Sequence, residues 1–190
     1  LAEQKGYSLA GGYADAKTKI GSEKLLVVPE ERLQDRSRYA GALPYAIDRG
    51  DKDLNLSQLV ELAIKHLSTY DHFFMMAEGG KIDYASHAND GATVLHEVMD
   101  FDDAIKVAYR FYEQHPDETL IIVTADHETG GLSLGYSKYK MNLERLAWQK
   151  GSVSTLTRKM QAFRDQGFNT WEQMQELLKR ELGLWENVSV

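Results

Sequence analysis

Two short segments gather the side chains that could hold a metal ion. One runs Ala77-Glu78-Gly79-Gly80-Lys81-Ile82-Asp83-Tyr84-Ala85-Ser86-His87, the other Thr124-Ala125-Asp126-His127-Glu128-Thr129-Gly130-Gly131. Asp83 and His87 are four positions apart and share a face if that stretch is helical. A carboxylate with an imidazole suits Zn²⁺, and because the chain has no cysteine, any metal must rest on His, Asp and Glu. Asp126 and His127 are adjacent. In a strand they would face opposite ways, so both can serve one ion only in a turn, which Glu128-Thr129-Gly130-Gly131 supplies. Glu78 adds a hard oxygen donor suited to Mg²⁺. Gly79 and Gly80 let the backbone bend beside it. Either Asp/His pair alone is a common arrangement, usually solvated or capping. Their joint occurrence, each just past a predicted strand, is what points to metal chemistry, since sites in open parallel sheets form outside the carboxyl ends of the strands.

Other chemistry-bearing residues read as structural. His66, His72, His96 and His115 are structural or surface histidines, and Asp100, Asp102 and Asp103 form a solvated acidic helix face. Trp148, Trp171 and Trp185 are packing residues. Nothing selects Arg145 or Arg158 as a phosphate ligand over other arginines.

The elements that must position the two segments are legible as periodicity. Leu25-Leu26-Val27-Val28, Phe73-Phe74-Met75-Met76-Ala77 and Leu120-Ile121-Ile122-Val123 read as short buried strands. A helix capped by Ser57 carries Leu59, Val60, Leu62, Ala63, Ile64 and Leu67 at helical spacing. A longer helix over 90–114 carries a stripe of Val94, Leu95, Val98, Phe101, Ile105, Ala108 and Phe111, and Pro116 stops it. The first 20 residues read as loop or short strands, and 30–56 as a long loop. Helix and strand alternation with apolar strands predicts an α/β fold with a mostly parallel sheet flanked by helices. From about residue 140 three amphipathic helices are expected, punctuated by Gly151 and Gly167, the last capped by Asn169 or Thr170. The expected division is a core over 1–139 and a helical insertion or cap over 140–190 in the same domain.

The 190 residues carry a net charge of −7, which argues against a nucleic-acid partner, where Lys and Arg against phosphate supply the main attraction. No apolar run approaches the roughly 18 residues of a membrane span. The first residue is Leu1 and no signal peptide is visible, so the sequence reads as a piece of a longer protein.

At these segments the chain closely resembles the alkaline phosphatase family. The run from Phe73 through Asp83 to His87 resembles that family's central motif, and Val123 to Gly131 resembles its later one. Phe101-Asp102-Asp103-Ala104-Ile105 and Leu43-Pro44-Tyr45-Ala46-Ile47-Asp48-Arg49 fit the same pattern. The likeness is strong over about 43–135, weaker before, and not evident after about 140. The resemblance implies Glu78 as a magnesium ligand, Asp83 and His87 as ligands of one zinc, and Asp126 and His127 as ligands of a second. It implies hydrolysis of phosphate monoesters through a phosphoserine intermediate, with two zinc ions and a magnesium in the parent enzyme. It further implies a homodimeric parent and a periplasmic or extracellular location. The family's nucleophilic serine, phosphate-clamping arginine and third zinc-binding histidine have no counterpart here, so the isolated chain is expected to be inactive. Tyr84 stands where the family often has a basic side chain. Two other readings stay open: a related phosphodiesterase or phosphomutase, and a non-catalytic module using the 140–190 helices to bind a partner.

Overall fold

The computed structural model describes residues 2–30, 43–130, 143–168 and 170–185. They divide into two compact units, one from Leu1–Pro44, Arg49–Gly79 and Val98–Ala125, the other from Tyr45–Asp48, Gly80–Glu97 and Asp126–Val190.

The first unit starts with strand β1 (Ser8–Gly11), which passes into helix α1 (Gly12–Thr18); strand β2 (Leu25–Val28) returns parallel to β1, with Ser8 opposite Leu25 and Gly11 opposite Val28. Gly12 makes the strand-to-helix turn at a φ of 77°, a conformation that side chains with a Cβ rarely adopt. Strand β2 has the predicted bounds. Helix α1 is absent from the sequence reading, because its seven residues bury only Ala16 and offer no apolar stripe to detect. Helix α2 (Leu56–Leu67) covers this motif: Leu62 packs with Ala10 and Ala16, while Val60 and Ile64 pack with Ala104. Its cap is Asn55 rather than Ser57. The extended Asn55 accepts from the Gln58 amide, and the Gln58 side chain accepts from Asn55 N–H in return. The Ser57 hydroxyl instead donates to Asn55 Oδ1.

Phe73–Ala77 and Leu120–Val123, expected as buried strands, form no strand among the described residues. A strand exists only by pairing, and β1 and β2 are the two strands that pair. Burial is one-sided as well. Met75 packs against the cluster around Val60 and Ile64, whereas Phe74, Met76, Leu120 and Ile122 are 89%, 75%, 84% and 74% exposed. The fold is α/β, rich in helix with a small parallel sheet.

Helix α3 (Gly80–His87) and helix α4 (Gly91–Gln114) follow the 73–79 stretch. The buried line of α4 includes Thr93, Glu97 and Ala104; of the apolar stripe read from the sequence, Ala108 and Phe111 pack against the cluster around Val60 and Ile64, whereas Leu95 and Val98 are exposed. Glu97 is drawn inward because its carboxylate accepts the Ala46 N–H. Beyond residue 142 a 3₁₀ helix (Leu143–Trp148) stands where the first of three α-helices was expected, followed by helix α5 (Val153–Asp165) and helix α6 (Trp171–Leu182). Thr170 caps α6 with a capping box to Gln173, and Gly183 closes it at a φ of 65°. Gly183 lies so close to Trp148 that a Cβ would come within 2.6 Å of the ring. Asn169 and Gly131 lie outside the described residues.

Candidate functional site

Helix α3 delivers the first pair. It begins at Gly80, so Asp83 falls in its first turn and His87 in its last, where the helix dipole favours a negative and a positive group respectively. The helical repeat brings His87 Nε2 to 3.5 Å from Asp83 Oδ1, with the Asp83 side chain 37% and the His87 side chain 69% exposed.

The second pair sits in irregular chain. His127 Nε2 lies 3.7 Å from Asp126 Oδ2, and the Asp126 carboxylate is almost fully exposed. His127 Nδ1–H donates to the Glu128 carbonyl at 2.8 Å, which leaves Nε2 as the ring nitrogen with a free lone pair. That Glu128 carbonyl, then the Asp126 carboxylate, hold the His127 imidazole above its ordinary value of 6.5. The ring therefore holds a proton more tightly than an ordinary imidazole, and a cation must displace it.

The two motifs meet at Thr129. Its hydroxyl donates to Asp83 Oδ1 at 2.9 Å and stands 3.0 Å from His127 Nδ1. One residue on, Gly130 has a φ of 78°, and a Cβ there would stand 2.6 Å from the Ser86 carbonyl oxygen. The 126–130 loop is thus seated on the last turn of α3, and only glycine allows so close an approach at that φ. From sequence alone Thr129 and Gly130 are turn residues. Thr129's link to Asp83, 46 residues earlier, has no local signal.

Glu78 belongs to the first unit, where it is exposed, while the other four residues belong to the second. Ser86 is not poised as a nucleophile, because its hydroxyl donates to the Ile82 carbonyl at 2.7 Å within α3. The Lys81 ammonium lies 4.5 Å from the centre of the Tyr45 ring and 5.3 Å from that of Tyr84. The acidic face of α4 forms ion pairs: Asp100 with Arg49 at 2.6 Å, and Asp102 and Asp103 with Lys106.

The donor chemistry fits a divalent cation. Each pair offers one carboxylate and one imidazole, and a ring that donates its other N–H to a backbone carbonyl is a recurrent arrangement for metal-binding histidine. Donor number is the shortfall. Among the described residues no three of His, Cys, Asp and Glu converge as a metal-holding group, whereas stable zinc sites use three or four protein ligands.

The family model for alkaline phosphatase matches residues 39–177. The match runs well past residue 140, so the likeness includes α5 and half of α6, which the sequence motifs alone did not reveal. The chain is similar to the repressible alkaline phosphatase of Saccharomyces cerevisiae, 31% identical over 163 residues, covering 76% of this chain and 29% of the yeast protein. It is similar to alkaline phosphatase 3 of Bacillus subtilis, 43% identical over 96 residues, covering 50% of this chain and 21% of that protein. Among solved structures, a cold-active alkaline phosphatase from a psychrophilic Shewanella superposes with a TM-score of 0.75 at 30% identity, covering 98% of this chain and 42% of the other. The chain thus spans under a third of the length of the curated relatives named here.

Proposed function

The chain belongs to the alkaline phosphatase family, and we propose that it contributes cation-holding residues to a hydrolase of phosphate monoesters. Asp83 with His87 forms one half-site, Asp126 with His127 another, and Glu78 supplies an oxygen donor for Mg²⁺. The observation that carries this reading is the 2.9 Å hydrogen bond from Thr129 to Asp83, which joins the two Asp/His motifs at one locus. When bound, Zn²⁺ and Mg²⁺ supply charge stabilisation for the attacking and leaving oxygens of phosphoryl transfer.

The residues of this chain have distinct parts in that reading. Thr129 orients Asp83 by donating to Oδ1. Glu128 fixes the His127 tautomer that presents Nε2. The repeat of helix α3 places Asp83 and His87 four residues apart on one face. The nucleophile and the remaining ligands come from residues other than these, because Ser86 is committed to its own helix.

Calorimetric titration with Zn²⁺ tests the reading. Two-ligand half-sites bind weakly, so the 190-residue chain should bind Zn²⁺ in the micromolar range or weaker. Asp83→Asn should lower that affinity, and so should Thr129→Val, which removes the orienting hydroxyl at a cost of about 1 kcal/mol. Sub-nanomolar affinity would mean that other ligands complete a site, and indifference to Asp83→Asn would end the assignment of that residue.

A further inference from the structure

We propose that Asp90 is a positioning residue for the Asp83–His87 pair: its carboxylate docks the α3–α4 junction onto the N-terminus of α5 and so fixes the turn that carries His87 and seats the 126–130 loop. The proposal deepens the cation-holding reading and rests on it.

Asp90 lies three residues after His87 and is 3% exposed. Capping its own helix needs one carboxylate oxygen, and Oδ1 does accept the Thr93 amide at 3.3 Å. The same oxygen also accepts Gln149 Nε2 at 2.6 Å, and Oδ2 accepts the Val153 amide at 2.7 Å, 63 residues along the chain. Val153 is the first residue of α5. Asp48 takes the neighbouring amide, accepting Ser152 N–H at 2.8 Å, the Ser152 hydroxyl at 2.6 Å and the Thr155 hydroxyl at 2.9 Å. Two carboxylates thus share the positive end of a 13-residue helix, each bonded to an amide that the helix itself leaves without an acceptor.

The other side of Asp90 holds the candidate site. Its N–H donates to the Ala85 carbonyl at 3.0 Å, and Asn89 N–H donates to the Ser86 carbonyl at 2.9 Å. Asn89 makes the turn between them at a φ of 51°. Ser86 O is the atom against which Gly130 rests. One anchored residue therefore determines where α3 ends, where His87 stands, and where the loop carrying Asp126 and His127 sits.

The test compares Asp90→Ala with Lys159→Ala in the full 190-residue chain. Lys159→Ala loosens α5 against α6 by removing a 2.6 Å bond to Glu181, at a place remote in sequence from α3. The first readout needs no metal: amide hydrogen exchange over 86–89 and 126–130 should quicken at least tenfold in Asp90→Ala and stay unchanged in Lys159→Ala. The second is Zn²⁺ affinity by calorimetry, which should fall about tenfold or more in Asp90→Ala alone. Faster exchange with unchanged affinity would reduce Asp90 to scaffolding and overturn the proposal, as would equal effects of the two variants. If Asp90→Ala does not fold, Asp90→Asn keeps one acceptor and should show a smaller change in the same two segments; no change there overturns it. A wild-type chain that binds no Zn²⁺ at all defeats the cation-holding reading instead, and the exchange data still decide whether Asp90 anchors the turn.

Discussion

The two units of this chain are held together by opposite means. In the first, among the described residues, the buried side chains are apolar: Ala10, Ala16, Pro29, Leu54, Val60, Leu62, Ile64 and Ala104. Among the described residues, the buried polar or charged side chains, Asp90, Thr93, Glu97, Ser152 and Glu181, all lie in the second, whose buried apolar side chains are Ala85, Ala92 and Leu177. Apolar packing is non-directional and tolerates small shifts. A buried carboxylate is satisfied only at hydrogen-bond distance from its donors, so it fixes register and orientation. Four of the five candidate site residues are in the polar unit. A site that must hold side chains in place for chemistry gains from directional support, and a two-layer helix and sheet motif needs only burial.

The largest expected effect tests the apolar side. Leu62 is 2% exposed and packs with Ala10 and Ala16, so Leu62→Ala should cost about 3 kcal/mol, within the range for leucine truncation in a core. Urea unfolding can assign the loss to a unit, because Trp148, Trp171 and Trp185 all belong to the second. The variant should move the circular dichroism transition more than the tryptophan fluorescence transition. A loss below about 1 kcal/mol would mean that α2 is not the element closing the first core. Asp48→Ala is the counterpart. It strips an amide and two hydroxyls of their acceptor at the start of α5 and should cost about 2 kcal/mol, read this time by fluorescence. If the two variants shifted both probes alike, the units would unfold as one and the contrast would have no thermodynamic content.

The same contrast decides what the sequence could reveal. Helix α2 and strand β2 are apolar elements whose pattern is local, and both are legible. Helix α3 is legible only conditionally: Asp83 and His87 share a face if their stretch is helical, and the structure supplies that helix. What fails is whatever depends on a partner far along the chain. The stripe of α4 holds at Ala108 and Phe111 but fails at Leu95 and Val98, where Glu97 turns inward to meet Ala46 and Thr93 is buried beside Asp90, and neither event leaves a hydrophobic mark. Thr129, Asp48 and Asp90 look like ordinary turn and cap residues until their partners are known. The two apolar runs at 73–77 and 120–123 have the composition of strands covered on both faces, and composition cannot tell whether a neighbour is there to pair with. Sequence motifs thus locate the candidate ligands, while their supports come into view only in three dimensions.

The smallest expected effect is also the most specific to the polar unit. Glu181 is 8% exposed at the end of α6, and its carboxylate meets Lys159 Nζ at 2.6 Å and Arg180 Nε at 3.1 Å. The Lys159 ammonium, aided by Arg180 and opposed by burial, holds the carboxyl below its ordinary value of 4.5. A carboxyl with a depressed folded-state pKa contributes stability that is fully present above its unfolded value and is lost as pH falls through the folded value. Glu181→Gln should therefore be less stable than wild type at neutral pH by about 1 kcal/mol, a modest figure because both cations are substantially exposed and solvent screens them. The gap should close as pH drops below about 4.5, because the wild type then carries a neutral side chain too. Absolute acid sensitivity is not the diagnostic, since Asp15 and Glu61 of the first unit are also held low, by Lys19 and Lys65 respectively. The difference between the two proteins is. Urea midpoints by tryptophan fluorescence at several pH values from 7 down to about 3.5 measure it, and a gap that stays constant across that range would mean that Glu181 supports α6 by shape and not by charge.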